Sequence, residues 1–193
     1  MDYYSGGNEP SQLSSLPVTD GGLDAVRATL RNMVAIVRKY KSDAGTINAA
    51  RQILTTAGIR DVRAAKSQTI AAEQAWVRDN IAYVPDPRDV EMLQTPPQSL
   101  SIGTGDCDDK AILLATLLET LGFTTRFMAV GGYGEEWADG GDEWCGGAEP
   151  PYSHVLAQVR MGSNTWLCLE TIVSDAVPGW CPPGIAVLMV AHV

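Results

Sequence analysis

Residues 103–122 read GTGDCDDKAILLATLLETLG, a segment holding a helix start, a reactive side chain and a helix stop. Asp106 is placed to cap the helix, Asp108 and Asp109 fall in the first turn where the helix dipole favours negative charge, and Gly122 supplies a left-handed exit. Cys107 therefore takes the first helical position. Ile112, Leu113, Ala115, Leu117, Leu118 and Leu121 cover so wide an arc that the helix is expected at the centre of the fold. A cysteine at a helix N-terminus is where thiolate is favoured, and the unpaired N–H groups there can also hold an oxyanion. The three flanking aspartates oppose thiolate formation, so a cationic partner is required. Histidine is scarce: His154 and His192 are the only two.

Downstream, the runs at about 124–130, 153–160, 165–171 and 185–191 have strand character. A hairpin turning through Met161-Gly162-Ser163 places His154 directly opposite Glu170 and puts Val155, Ala157, Val159, Leu167 and Leu169 on the other face. A carboxylate across from an imidazole can fix its tautomer and stabilise the imidazolium, completing a Cys107–His154–Glu170 triad. Asp175 is the substitute for the acid. Between the first two strands, residues 133–152 carry six acids and no base, which marks a candidate lid or partner loop. Upstream, apolar spacing predicts a helix over about 23–41, a second capped by Thr46 and ended by Gly58, and a third over about 61–82 stopped by Pro85 and Pro87. Residues 85–105 read as a Pro-rich connection, in which Gln94 and Gln98 join the Cys107 amide as oxyanion candidates. Helices preceding a central helix against an antiparallel sheet make an α+β layout.

The 193 residues divide into an expected flexible arm at 1–19, an N-terminal helical annex at 20–60 and a catalytic-type domain at 61–193. A net charge of −9 and the absence of a basic run disfavour nucleic acid and anionic membranes as partners. The longest apolar run, Ile185 to Val190, is too short to span a bilayer, and no secretory signal is visible, so a cytoplasmic start is expected. The four cysteines form no CxxC pair, which argues against both a zinc site and a disulfide framework. Cys168 is expected to pack, and Cys145 and Cys181 to be incidental thiols. No metal or cofactor is implied.

At these residues the chain resembles the transglutaminase-like superfamily. The blocks WVRDNIAYVPDP, GDCDDKAILLATLLETLG, SHVLAQV and WLCLETI look like that family's successive motifs over about 74–175, most nearly those of small proteins encoded by tailed phages and prophages. The resemblance implies a papain-like fold with Cys107 as nucleophile, His154 as base and Glu170 as orienting acid. Glu-Thr stands where the family usually has an Asp-Pro-Thr-like setting, and Val155 and Leu156 follow the histidine where an aromatic is common. The implied activity is thiol acyl transfer on a protein or peptide: peptidase, deamidase or cross-linker. The alternative is a non-catalytic virion assembly or tail protein, with virion structural proteins as partners and the host cytoplasm or the particle as its location.

Overall fold

The computed structural model describes residues 14–17, 23–87, 90–131, 152–183, 185 and 187–193. Most of the expected arm, and the acidic segment 133–152 apart from Tyr152, lie outside the described residues.

Three helices come first: α1 (Leu23–Tyr40), α2 (Ala44–Thr56) and α3 (Lys66–Asn80). The apolar stripe of α1 buries Leu30, Met33, Val34 and Val37, as its three- and four-residue spacing predicts. The cap of α2 is Asp43, not Thr46: the Asp43 carboxylate accepts from the Thr46 N–H at 2.9 Å, so Thr46 lies inside the first turn. Gly58 leaves this helix at φ 72°, as expected. α3 begins later than its apolar pattern suggests, because the Asp61 carboxylate accepts from the Arg63 and Ala64 N–H groups and holds a separate turn there.

The stretch read as a plain connection is more structured. Short strands β2 (Ala82–Tyr83) and β4 (Thr104–Gly105) pair in parallel, with Tyr83 opposite Gly105. Strand β3 (Val90–Leu93) pairs antiparallel with β1 (Ser14–Pro17), so part of the expected arm joins the fold. Between β3 and β4 lies helix α4 (Pro96–Ile102), opened by a Thr95/Gln98 capping box and closed by Gly103 at φ 72°.

Helix α5 (Cys107–Thr120) runs through the centre, buried from Asp108 to Leu118. It packs against α1, α2 and α3 and against the sheet strand β6 (Tyr152–Arg160). The remaining strands are β5 (Thr125–Gly131), β7 (Trp166–Leu169) and β8 (Val187–His192), and the antiparallel order is β7-β6-β5-β8. Phe127, Ala129, Val155, Ala157, Val159 and Leu169 face the helices, while Met128, Val130, Leu156 and Cys168 form a smaller cluster on the outer face. At the far end of α5, Glu119 accepts from the Thr125 N–H at 2.8 Å and from Lys41 Nζ at 3.3 Å, tying the helix to β5 and to the end of α1.

The hairpin register differs from the expectation by two residues. Ala157 opposes Leu169 and Arg160 opposes Trp166, so His154 has no direct partner in β7. The cause is the turn: the Met161 N–H closes on the Thr165 carbonyl at 2.9 Å, making a longer loop than Met161-Gly162-Ser163. A two-residue slip keeps every side chain on its face, so the predicted inner and outer sets survive.

The expectation of separate thiols is also overturned. Cys168 and Cys181 form a disulfide with Cα atoms 5.4 Å apart, leaving Cys107 outside it. The segment after β7 folds back, with the Gly179 N–H donating to the Cys168 carbonyl at 2.8 Å, and this return is what brings the exposed Cys181 to the buried Cys168. With a separation of 13 residues, Cys181→Ser is expected to lower the unfolding free energy by about 3 kcal/mol. Urea unfolding with and without a dithiol reductant checks this: reduction should bring the wild type down to the variant and leave the variant unchanged.

Candidate active site

The N-terminus of α5 is built around Asp106. Its carboxylate accepts from the Asp108 and Asp109 N–H groups at 3.0 and 3.2 Å, while Asp109 folds back to accept from Gln94 N–H at 2.7 Å and Asp106 N–H at 3.4 Å. A Cβ at Gly105 would stand 2.7 Å from the Asp109 Cβ, so only glycine admits this fold-back. Because the cap consumes those two amides, the Cys107 N–H is the first-turn donor left to face a substrate among the described residues.

Cys107 is half-buried, with Sγ 3.4 Å from Asp108 Oδ1. Burial pushes its thiol well above the ordinary range, and the charges of Asp108 and Asp106 add to that, while a hydrogen bond from the Val155 backbone N–H opposes it. That bond has a structural origin. Val155 lies beyond the stretch of β6 that β7 covers, since the ladder ends at Ala157 and Leu169, so its N–H is available to the sulfur. The thiol thus sits against the residue following His154.

The carboxyls around the sulfur are themselves perturbed. Burial raises Asp106 to about 7 and Asp109 to about 6; Asp108 is held well above its usual value by burial and then by a shared hydrogen bond with Glu91. Near neutrality the cluster therefore repels a thiolate less than three full charges would.

His154 Nε2 lies 2.6 Å from Glu170 Oε2, with the two side chains 8% and 0% exposed. The sequence brings this pair together by another route than direct opposition: β7 ends one residue before Glu170, and the released side chain reaches His154 across the open end of the hairpin. Burial pushes Glu170 upward, but the His154 hydrogen bond and charge, with the Ile172 and Thr171 amides, outweigh it and hold the carboxyl below its ordinary range. The Ile172 N–H donates to Glu170 Oε1 at 2.7 Å. Asp175 is exposed.

Gln98 closes the α4 capping box, its Oε1 accepting from the Thr95 N–H at 3.4 Å. The Gln94 Oε1 accepts from Ser99 Oγ at 3.2 Å. Two groups near the site escaped the sequence reading. Tyr83, half-exposed beside Gly105, has its hydroxyl pushed up by burial and then by the charges of Cys107, Asp106, Asp108 and Asp86, so it holds its proton. Lys110 is fully buried one turn along from Cys107. Among the described residues, no group of three or more His, Cys, Asp or Glu side chains is arranged to hold a metal ion, and no helix is long and apolar enough to cross a membrane.

Among solved structures, a chain described as a candidate cysteine protease from Cytophaga hutchinsonii is similar at 16% identity and a TM-score of 0.46, over 76% of this chain and 46% of that one. A candidate protease from Parabacteroides distasonis is similar at 13% identity and a TM-score of 0.43, over 69% of this chain and 24% of that one. The present chain thus spans less than half the length of either. No curated protein matches it. Residues 49–171 match the family model of the transglutaminase-like superfamily, a span that opens in α2, contains the Cys107 helix and ends just past Glu170. With that span covering more than half of its length, and with a central cysteine-bearing helix packed on an antiparallel sheet, the chain belongs to the transglutaminase-like superfamily.

Proposed function

We propose that the protein is a thiol acyl-transfer enzyme acting on protein or peptide carbonyls through Cys107, His154 and Glu170. The observation that carries this reading is the buried 2.6 Å contact between His154 and Glu170, on the strand whose next amide bonds the Cys107 sulfur. With Nε2 committed to Glu170, Nδ1 is the nitrogen that takes the Sγ proton as sulfur attacks the carbonyl carbon. The Cys107 N–H supports the oxyanion, and Gln94 supplies the second donor through its Nε2. The imidazolium then protonates the departing amine, leaving a thioester. Water resolves it in a peptidase or deamidase, and a lysine amine resolves it in a cross-linker. No cofactor takes part in these steps.

A second reading, a non-catalytic phage particle component that keeps the fold, draws on the same sulfur: burial and carboxyl neighbours hold the resting thiol protonated. Iodoacetamide separates the two. In an enzyme, Cys107 alkylation at pH 7 proceeds and His154→Ala confines it to alkaline pH above the ordinary thiol range, because burial and the neighbouring aspartates disfavour unaided ionisation. Identical alkylation profiles with and without His154 would move the protein to the particle role. Parallel assays of peptide cleavage, ammonia release and dansylcadaverine incorporation then assign the acceptor.

A further inference from the structure

The outer face of the sheet carries a polar row that the candidate site does not use. His192 of β8 opposes Arg126 of β5, Arg126 opposes Gln158 of β6, and Gln158 opposes Cys168 of β7. Arg126 Nε donates to Gln158 Oε1 at 2.6 Å, and Gln158 Nε2 donates to Cys168 Sγ at 3.3 Å. The guanidinium claims the amide oxygen, so the amide nitrogen is the end that faces sulfur. Trp166 in turn holds the guanidinium, its ring centroid 4.3 Å from Arg126 Cζ. Gln158 and Cys168 are both buried, and Cys168 otherwise packs with Met128, Val130 and Leu156. An apolar pocket of that kind disfavours a thiolate, and a donor amide backed by a cation offsets it. The two sulfurs of the Cys168–Cys181 disulfide are therefore unequal: Cys181 is exposed, whereas Cys168 is buried against a hydrogen-bond donor. In thiol–disulfide exchange the attacked sulfur must be reachable, and the departing sulfur must take up negative charge.

We propose that Cys168–Cys181 is a thiol–disulfide exchange site for a dithiol reductant, with Cys181 as the attacked sulfur and Cys168 as the departing one. A thiolate of the reductant bonds to Cys181 Sγ as the Cys168–Cys181 bond breaks. The electron pair leaves on Cys168 Sγ, where the Gln158 Nε2–H group holds it. The second thiolate of the reductant then attacks the reductant's own sulfur in this mixed disulfide and expels Cys181. The dithiol ends as a cyclic disulfide, and its two electrons and two protons reside on the two cysteines. The ring that opens runs from Cys168 to Cys181 and contains Glu170. This exchange chemistry is independent of the acyl-transfer reading.

Reduced glutathione, a monothiol, isolates the first step. Acid quenching, alkylation of free thiols and peptide mass spectrometry of the folded wild type should place glutathione on Cys181 and leave Cys168 as the free thiol. Glutathione on Cys168 overturns the proposal. Reduction by dithiothreitol, followed by the same alkylation without denaturant, should slow about tenfold in Gln158→Leu, which removes the donor, and by a smaller factor in Arg126→Met, which removes only its backing. Equal rates in wild type and folded Gln158→Leu overturn the proposal, as does a wild-type disulfide that opens only once urea unfolds the chain. Should Gln158→Leu fail to fold, the position of glutathione in the wild type decides. A wild type in which Cys107 alkylation ignores His154 refutes the acyl-transfer reading alone, because the exchange assay reads Cys168 and Cys181.

Discussion

Replacing Cys107 with serine is expected to reduce acylation by an activated ester such as p-nitrophenyl acetate to the solvent background, and His154→Ala to lower it by about 10³-fold at pH 7. The physical ground is the resting state of the sulfur. Burial, followed by the charges of Asp108 and Asp106, holds the thiol protonated, and the single Val155 N–H does not compensate. A preformed thiolate would react with little help. Here the proton must leave during attack, so the base acts within the rate-determining step and its removal has a large effect. Retention of more than a tenth of the wild-type rate in a folded His154→Ala variant would sink the general-base assignment.

The third member should matter less. In Glu170→Gln the amide oxygen can still accept from Nε2–H, so the ring stays oriented, but the charge that stabilises the imidazolium is gone. A charge-assisted hydrogen bond contributes about 1.5–3 kcal/mol, which corresponds to about ten- to a hundredfold in rate. Glu170→Ala, which removes both orientation and charge, should fall below Glu170→Gln in the same ester assay.

How much of this was legible depends on whether the information is local. The ends of α5 follow from Asp106, Asp109 and Gly122, because caps act over three or four residues and their chemistry is written in order. The α4 capping box was equally present in Thr95-Pro96-Pro97-Gln98, and the prolines masked it: Pro at the first helical positions starts a helix as readily as it breaks one. The His154–Glu170 contact was foreseen through a pairing that the structure shifts by two residues; it survives because the slip preserves faces and Glu170 lies past the end of β7. Non-local features left no trace. Cys168 and Cys181 meet only because the chain returns to β7, and nothing in the order of residues says that Lys110 or Glu73 is covered on every side.

Glu73 carries the largest expected effect on stability. It lies on α3, fully buried, and both its carboxylate oxygens lack a hydrogen-bond partner among the described residues, as do Thr69 Oγ1 and Gln74 Oε1 beside it in the same helix. Burial raises its pKa from 4.5 to about 8, so the folded protein binds this proton where the unfolded chain has released it. Stability is then fully present below about pH 4.5 and is lost as pH rises through about 8. At about 1.36 kcal/mol per pKa unit the loss amounts to at most about 5 kcal/mol, reduced by whatever local relaxation or water entry solvates the charge. Asp106 and Asp109, raised to about 7 and 6, slope in the same direction, so the total decline does not isolate Glu73. The comparison with Glu73→Gln does. The amide resembles the protonated acid in size and polarity, so the variant should match the wild type at pH 5 within about 1 kcal/mol and exceed it by several kcal/mol at pH 8.5. Urea unfolding at the two pH values reads the difference directly. A gap between the two proteins that stays constant from pH 5 to 8.5 would mean that Glu73 releases its proton in the folded state as easily as in the unfolded one.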